Sequence, residues 1–195
     1  MPATTLLEAI NTLLAAIGSS PVTNTDTPQN ADAIIAKNNI NRALRDIQTE
    51  KWYFNSESDY PLTPDVNGTI HTPNNIINID FTGRLGEGNR FVIRGKKLYD
   101  RLNHTFKIDE QLEADVVLCL EYDEIPESAA QYVIARAARR YQEEMLGDPS
   151  LRTWTKQDED TARGNLLDED LRMRKVSLGV LPKRDPIYRM GFRNH

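Results

Sequence analysis

The chain has 195 residues, with 24 Lys or Arg, 29 Asp or Glu and a single cysteine. It is long enough to bury a core without staples, and one cysteine excludes an intrachain disulfide. The net charge of −5 is uneven: residues 172–195 hold seven Lys or Arg against the single acid Asp185, leaving residues 1–171 at −11. So acidic a body is a poor general binder of nucleic acid, whose affinity comes from basic groups that release counterions from phosphates. No window approaches the ~20 apolar residues of a membrane span. No basic segment followed by an apolar stretch and a cleavage site opens the chain, so synthesis in a cytoplasm is expected.

Thr5 followed by Glu8 forms a capping-box pattern, and Leu6, Ile10, Leu13, Leu14 and Ile17 make an apolar stripe that stops at Gly18. This predicts a first helix. Residues 19–29, with Pro21 and Pro28, read as a loop. Asn30 or Asp32 can cap a second helix, in which Ala36, Ile40, Ala43, Leu44 and Ile47 keep helical spacing to about Lys51. Trp52, Tyr53 and Phe54 follow, a run that could form a ligand platform but reads better as a core anchor.

From Asn55 to Tyr122 the helical period disappears. Short β-rich pieces, predicted at Ile76 to Phe81, Arg90 to Arg94, Lys97 to Asp100, Thr105 to Ile108 and Val116 to Tyr122, are separated by turn residues. Gly95-Lys96 is a tight hairpin signal, and Gly83, Gly86 and Gly88 suggest a longer hairpin loop. The run at Val116 to Leu120, which contains Cys119 as a small core residue, then gives way at Pro126 to helical periodicity. Ala130, Val133, Ile134, Ala137, Ala138, Tyr141 and Met145 share one face of that helix, and Gly147 ends it.

Residues 153–176 are highly charged, with acid-to-base pairs four apart at Glu159 and Arg163, Asp168 and Arg172, and Asp170 and Arg174, an order that supports a helix. Its apolar content is thin and Gly164 weakens its centre, so its surface is expected to be solvated or to meet another subunit. Beyond Gly179 the chain reads as an extended basic arm in which Lys183, Arg184, Arg189 and Arg193 alternate with Tyr188, Met190 and Phe192. Such an arm suits a partner groove, with a disordered tail or a nucleic-acid contact as the other readings.

Catalytic signatures are weak. GRLGEGN at 83–89 lacks the lysine and hydroxyl of a phosphate-binding loop. His71, His104 and His195 are scattered and, with one cysteine, offer no zinc spacing; no metal or cofactor is expected. Asp109, Glu110, Glu113 and Asp115 could contain a glycosidase pair only if folding sets a suitable separation.

Several stretches together resemble the tail tubular protein A family of T7-like short-tailed bacteriophages. They are LLAAIGSSPV (13–22), NADAIIAKNNINRALRDIQTEKWYFN (30–55), PLTPDV (61–66), FVIRGKKLYDR (91–101) and EYDEIPE (121–127), and they occur in the family's order. A β-rich middle between helical ends reads as an α+β protein, and the resemblance implies its parts: a helical bundle from 1–54 and 123–179, an antiparallel β-sandwich or barrel-like part from 55–122, and an arm at 180–195. It implies a structural virion component in the phage tail and not an enzyme. Twelve subunits would form an adaptor ring between the portal and the tail nozzle, around a channel through which genomic DNA passes without specific binding.

On that expectation the arm embraces the portal through Arg184, Tyr188, Arg189, Met190, Phe192 and Arg193. Glu159, Arg163, Asp168 and Arg172 would face a neighbouring subunit, and EYDEIPE would couple the β part to the bundle. Tail fibres are a further candidate partner, for the β part. The competing functions are a tail-associated polysaccharide-degrading enzyme and a free DNA-binding protein.

Overall fold

A computed structural model describes residues 4–25, 30–81, 90–147 and 149–180, with side chains described as far as Arg174. The GRLGEGN loop and the arm from residue 181 lie outside the described residues. The chain is α+β, with helices α1 (Leu6–Ala16), α2 (Ala31–Gln48), α3 (Glu127–Met145) and α4 (Lys156–Val180). Between α2 and α3 run strands β1 (Ser56–Leu62), β2 (Ile76–Asp80), β3 (Phe91–Arg94), β4 (Lys97–Asp100) and β5 (Leu112–Leu118).

The helices begin and end where their cap chemistry dictates. Thr5 and Glu8 complete the capping box of α1. At its other end Gly18, at φ +74°, lets the amides of Gly18 and Ser19 turn back to the carbonyls of Ala15 and Leu14. Asn30 caps α2 through the Ala33 amide at 2.7 Å. Pro126 occupies the cap of α3 rather than its first turn, and Gly147 stands two residues beyond Met145 at φ +63°.

The apolar stripes of α1, α2 and α3 meet in one core with Trp52, Tyr122, Ile125 and Leu166. Small side chains at Ala9, Ala33, Ala36, Ala43, Ala137 and Ala138 line the contact. Because an alanine surface leaves little between two backbones, this core is thin and closely packed.

A second core lies among the strands, and Leu62, Ile70, Phe91, Leu98, Leu112 and Val116 belong to it. Its sheets are antiparallel: one has the order β1-β5-β2, the other is the β3-β4 hairpin. Gly95 and Lys96 both have positive φ, which fits the tight turn predicted between β3 and β4.

The central strand corrects one expectation. Val116 to Leu120 reads as a continuous buried run, whereas β5 starts four residues earlier and alternates, with Leu112, Ala114 and Val116 buried and Glu113 and Asp115 exposed. Thr105 to Ile108 makes isolated bridges, Asp100 to Thr105 and Thr69 to Lys107, instead of a strand. The carboxylate of Asp100 causes this by folding residues 100–103 back on themselves, accepting from the amides of Leu102 (2.8 Å) and Asn103 (3.0 Å). β1 was not expected, because Asp59 and Pro61 interrupt its pattern. Asp59 takes φ 55° beside a register shift, and Pro61 is tolerated because β1 is an edge strand.

Candidate functional site

The backbone passes between the two cores twice, after α2 and after β5, and two buried amide side chains tie these crossings together. Gln48 lies on the apolar stripe of α2 and is 0% exposed. Its Nε2 donates to the Leu120 carbonyl at 2.9 Å while its Oε1 accepts from the Leu120 amide at 2.8 Å, so it pairs with that backbone as a neighbouring strand would. Asn55, equally buried, donates to the carbonyls of Gln48 (2.9 Å) and Leu118 (3.2 Å) and accepts from the Trp52 amide at 2.9 Å. The Leu118 amide donates to the Asn55 carbonyl at 2.8 Å.

Every one of these polar groups would be costly if buried without a partner, so the joint has one low-energy arrangement. Trp52 is core, its indole N–H donating to the Ile47 carbonyl at 2.7 Å, and Phe54 packs partly against the same core, whereas Tyr53 of the aromatic run turns to α4. Cys119 stands in the same joint, half-buried, with burial pushing its thiol above the ordinary value and so away from reactive thiolate.

Helix α4 packs on α3 and ties to the segment that follows α2 mainly through charged groups. Among its described residues Leu166 alone is a buried apolar side chain, with Ala162 and Leu167 packed partly against the helical core. Its polar ties are denser. The Tyr53 amide donates to Asp170 at 2.6 Å, the Tyr53 hydroxyl donates to Glu169 at 2.6 Å, and Arg174 bridges Asp170 to the Lys51 carbonyl. Arg163 reaches Glu50 at 3.0 Å. Glu159, 4% exposed, accepts from Arg139 of α3 at 2.6 Å, and Arg139 also holds Glu143 at 2.7 Å.

The pairing expected along α4 is therefore only partly the pairing found. Asp170 and Arg174 pair as predicted. Glu159 and Arg163 do not meet each other: each turns to a different element, because α4 packs on α3 with Glu159 inward. Asp168 and Arg172 are both exposed, beside Leu171 at 55% and Met173 at 47% exposure. Arg184, Tyr188, Arg189, Met190, Phe192 and Arg193 fall outside the described residues.

A cleft of about 530 Å³ runs between α3 and α4, with Glu127, Gln131, Trp154, Asp158 and Glu169 among its lining. Its three carboxylates are already engaged: Glu127 by Thr4 and Gln131, Asp158 by the Thr155 cap, Glu169 by Tyr53. Asp109, Glu110, Glu113 and Asp115 are spread along the turn before β5 and its exposed side, where Asp109 pairs with Lys107 at 3.6 Å. His71 meets Asp65 at 3.3 Å, and among the described residues no three His, Cys, Asp or Glu side chains are grouped to hold a metal.

The family model for tail tubular proteins matches residues 7–176, across both cores, the joint and α4. The chain belongs to the tail tubular protein family. It is a structural component of a phage tail. The tail tubular protein A of Klebsiella phage KP34 is 27% identical over 172 residues, covering 88% of this chain and 89% of that protein. Tail tubular membership rests on agreement over residues 7–176, because the residues that organise the joint, Gln48 and Asn55, carry no motif of their own. Their signal is subtler: Gln48 follows Leu44 by four residues, a polar side chain at an apolar-stripe position.

Proposed function

We propose that this chain is the subunit of an adaptor ring that joins the portal to the tail nozzle and lines part of the DNA ejection channel. The observation that carries the reading is the family match across both cores together with nearly full-length similarity to a tail tubular protein A. The residues fit the task. A closed ring of identical subunits needs two different complementary faces on each copy. The outer side of α4, with Asp168, Arg172, Leu171 and Met173 exposed, supplies one; Glu159 and Arg163 brace it from within the chain. An overall charge of −5 suits a conduit wall that does not hold duplex DNA.

In this arrangement the helical core sits toward the portal, the β core toward the nozzle, and the arm beyond α4, from residue 181, embraces the portal. Arg184, Arg189 and Arg193 pair with acidic portal groups while Tyr188, Met190 and Phe192 fill apolar pockets. Negative-stain imaging of the protein mixed with its portal rings is the test. Capped portal rings with twelve-fold character are expected, and removal of residues 183–195 should abolish capping. Undiminished capping after that removal would overturn the role of the arm. Bare portal rings with the full chain present would overturn the adaptor reading itself.

A further inference from the structure

The β3-β4 hairpin and the loop after it carry a charge opposite to that of the whole molecule. Residues 90–107 hold six Lys or Arg against the single acid Asp100, within a chain whose net charge is −5. That acid is hidden: Asp100 is 2% exposed and accepts from Arg90 at 2.8 and 3.0 Å, so it does little to lower the potential outside. Arg94, Lys96, Lys97 and Arg101 are exposed, and Lys107 is exposed beside its partner Asp109.

The register shows how the cations are arranged. Val92 pairs with Tyr99 and Arg94 with Lys97, so these four side chains share one face, while Phe91 and Leu98 belong to the β core. On the outer face the Arg94 guanidinium lies 3.9 Å above the Tyr99 ring, and Phe106 meets Tyr99 edge-on with ring centroids 4.9 Å apart. Phe106 is 40% exposed, an apolar ring left at the water surface and flanked in sequence by Lys107. The three groups in contact form a platform, with Lys96 and Lys97 in and beside the turn at its edge.

We infer that this hairpin platform binds single-stranded nucleic acid, with Lys96 and Lys97 on the phosphates and an unpaired base against the exposed face of Phe106. Cations supply the strand affinity, and a flat ring beside them accepts any base through its π face. The acidic body disfavours a long duplex, whose bases are also closed to Phe106, whereas a flexible strand can reach the patch alone. The assignment stands on the patch and does not depend on the adaptor reading.

The test is fluorescence anisotropy of a labelled oligothymidylate against the full chain at several salt concentrations, with a duplex of equal length and dextran sulfate as comparison ligands. The strand should bind more tightly than the duplex. The double change Lys96→Gln and Lys97→Gln should lower the slope of log K against log salt by about 1.4, two phosphate contacts at ~0.7 each. Phe106→Leu keeps an apolar contact with Tyr99 but removes the stacking face, and should weaken strand binding about tenfold with the salt slope unchanged. Both sites are exposed, so circular dichroism of each variant should match the parent.

Three results would overturn the inference: no strand binding at low salt, equal binding of dextran sulfate with no effect of Phe106→Leu, or binding lost only when Arg184 and Arg189 of the arm become Gln. The last would move the nucleic-acid contact to the arm.

Discussion

Asp100 shows how one side chain can set a local structure and a pH response together. It turns the chain after β4 through the amides of Leu102 and Asn103, and it anchors Arg90 before β3. The Arg90 guanidinium, assisted by those amides, holds its carboxyl at about 2, below the ordinary 3.8. A carboxyl depressed by folding stabilises the native state above its unfolded value and loses that contribution as pH falls through the folded one. Urea midpoints should therefore decline from near pH 3.8 toward pH 2, and Asp100→Asn should flatten that part of the profile while lowering stability at neutral pH. The buried amides act without titrating. Gln48→Leu keeps the apolar volume but strands the amide and carbonyl of Leu120, and is expected to cost about 1–3 kcal/mol in denaturant unfolding. Tyr141 is similar in kind: burial, with the charge of Asp32 adding to it, pushes its hydroxyl up to about 12, so it stays a neutral donor to the Asp32 carbonyl at every working pH.

At the scale of elements, the described part of α4 is attached with little apolar burial, Leu166 being its buried apolar side chain. Its ties to Arg139, Glu50, Lys51 and Tyr53 are mostly charge-assisted hydrogen bonds. Glu159→Gln should loosen its first turns, and hydrogen exchange of amides 160–166 should rise roughly tenfold, equivalent to ~1.4 kcal/mol, while α2 stays protected. Gly164 gives the opposite lever. A Cβ there would meet nothing within 4 Å, so Gly164→Ala should stabilise the protein by about 0.5–1 kcal/mol, read as a raised thermal midpoint. The sequence shows α1 and α3 to within a residue or two and α2 to within about three at its C-terminal end, because caps and a 3.6-residue stripe are local signals. β1 is hidden from it: SESDYPL has no alternation of its own and becomes a strand because Tyr60 and Leu62 face Ala114 and Leu112 across the sheet.

For the whole molecule, the consequential fact is that two separate cores share one joint. Asn55 bonds to both crossings, so Asn55→Ala should uncouple them. Tryptophan fluorescence, reporting Trp52 and Trp154 in the helical core, and exchange at β5 should then give two unfolding midpoints in place of one. Coincident midpoints in this variant would show that the joint does not couple the cores. The sequence by itself determined the α+β class, the helical faces, the β3-β4 hairpin and the position of the chain's passage into α3, since each depends on periodicity and caps within a few residues. Tertiary structure alone decided that Glu159 faces Arg139 and not Arg163, that Gln48 and Asn55 lock the crossings, and that Arg94, Tyr99 and Phe106 meet in one platform. Those relations join residues distant in the chain or set by strand register, and no local pattern encodes which partner a buried amide or an inward carboxylate will find.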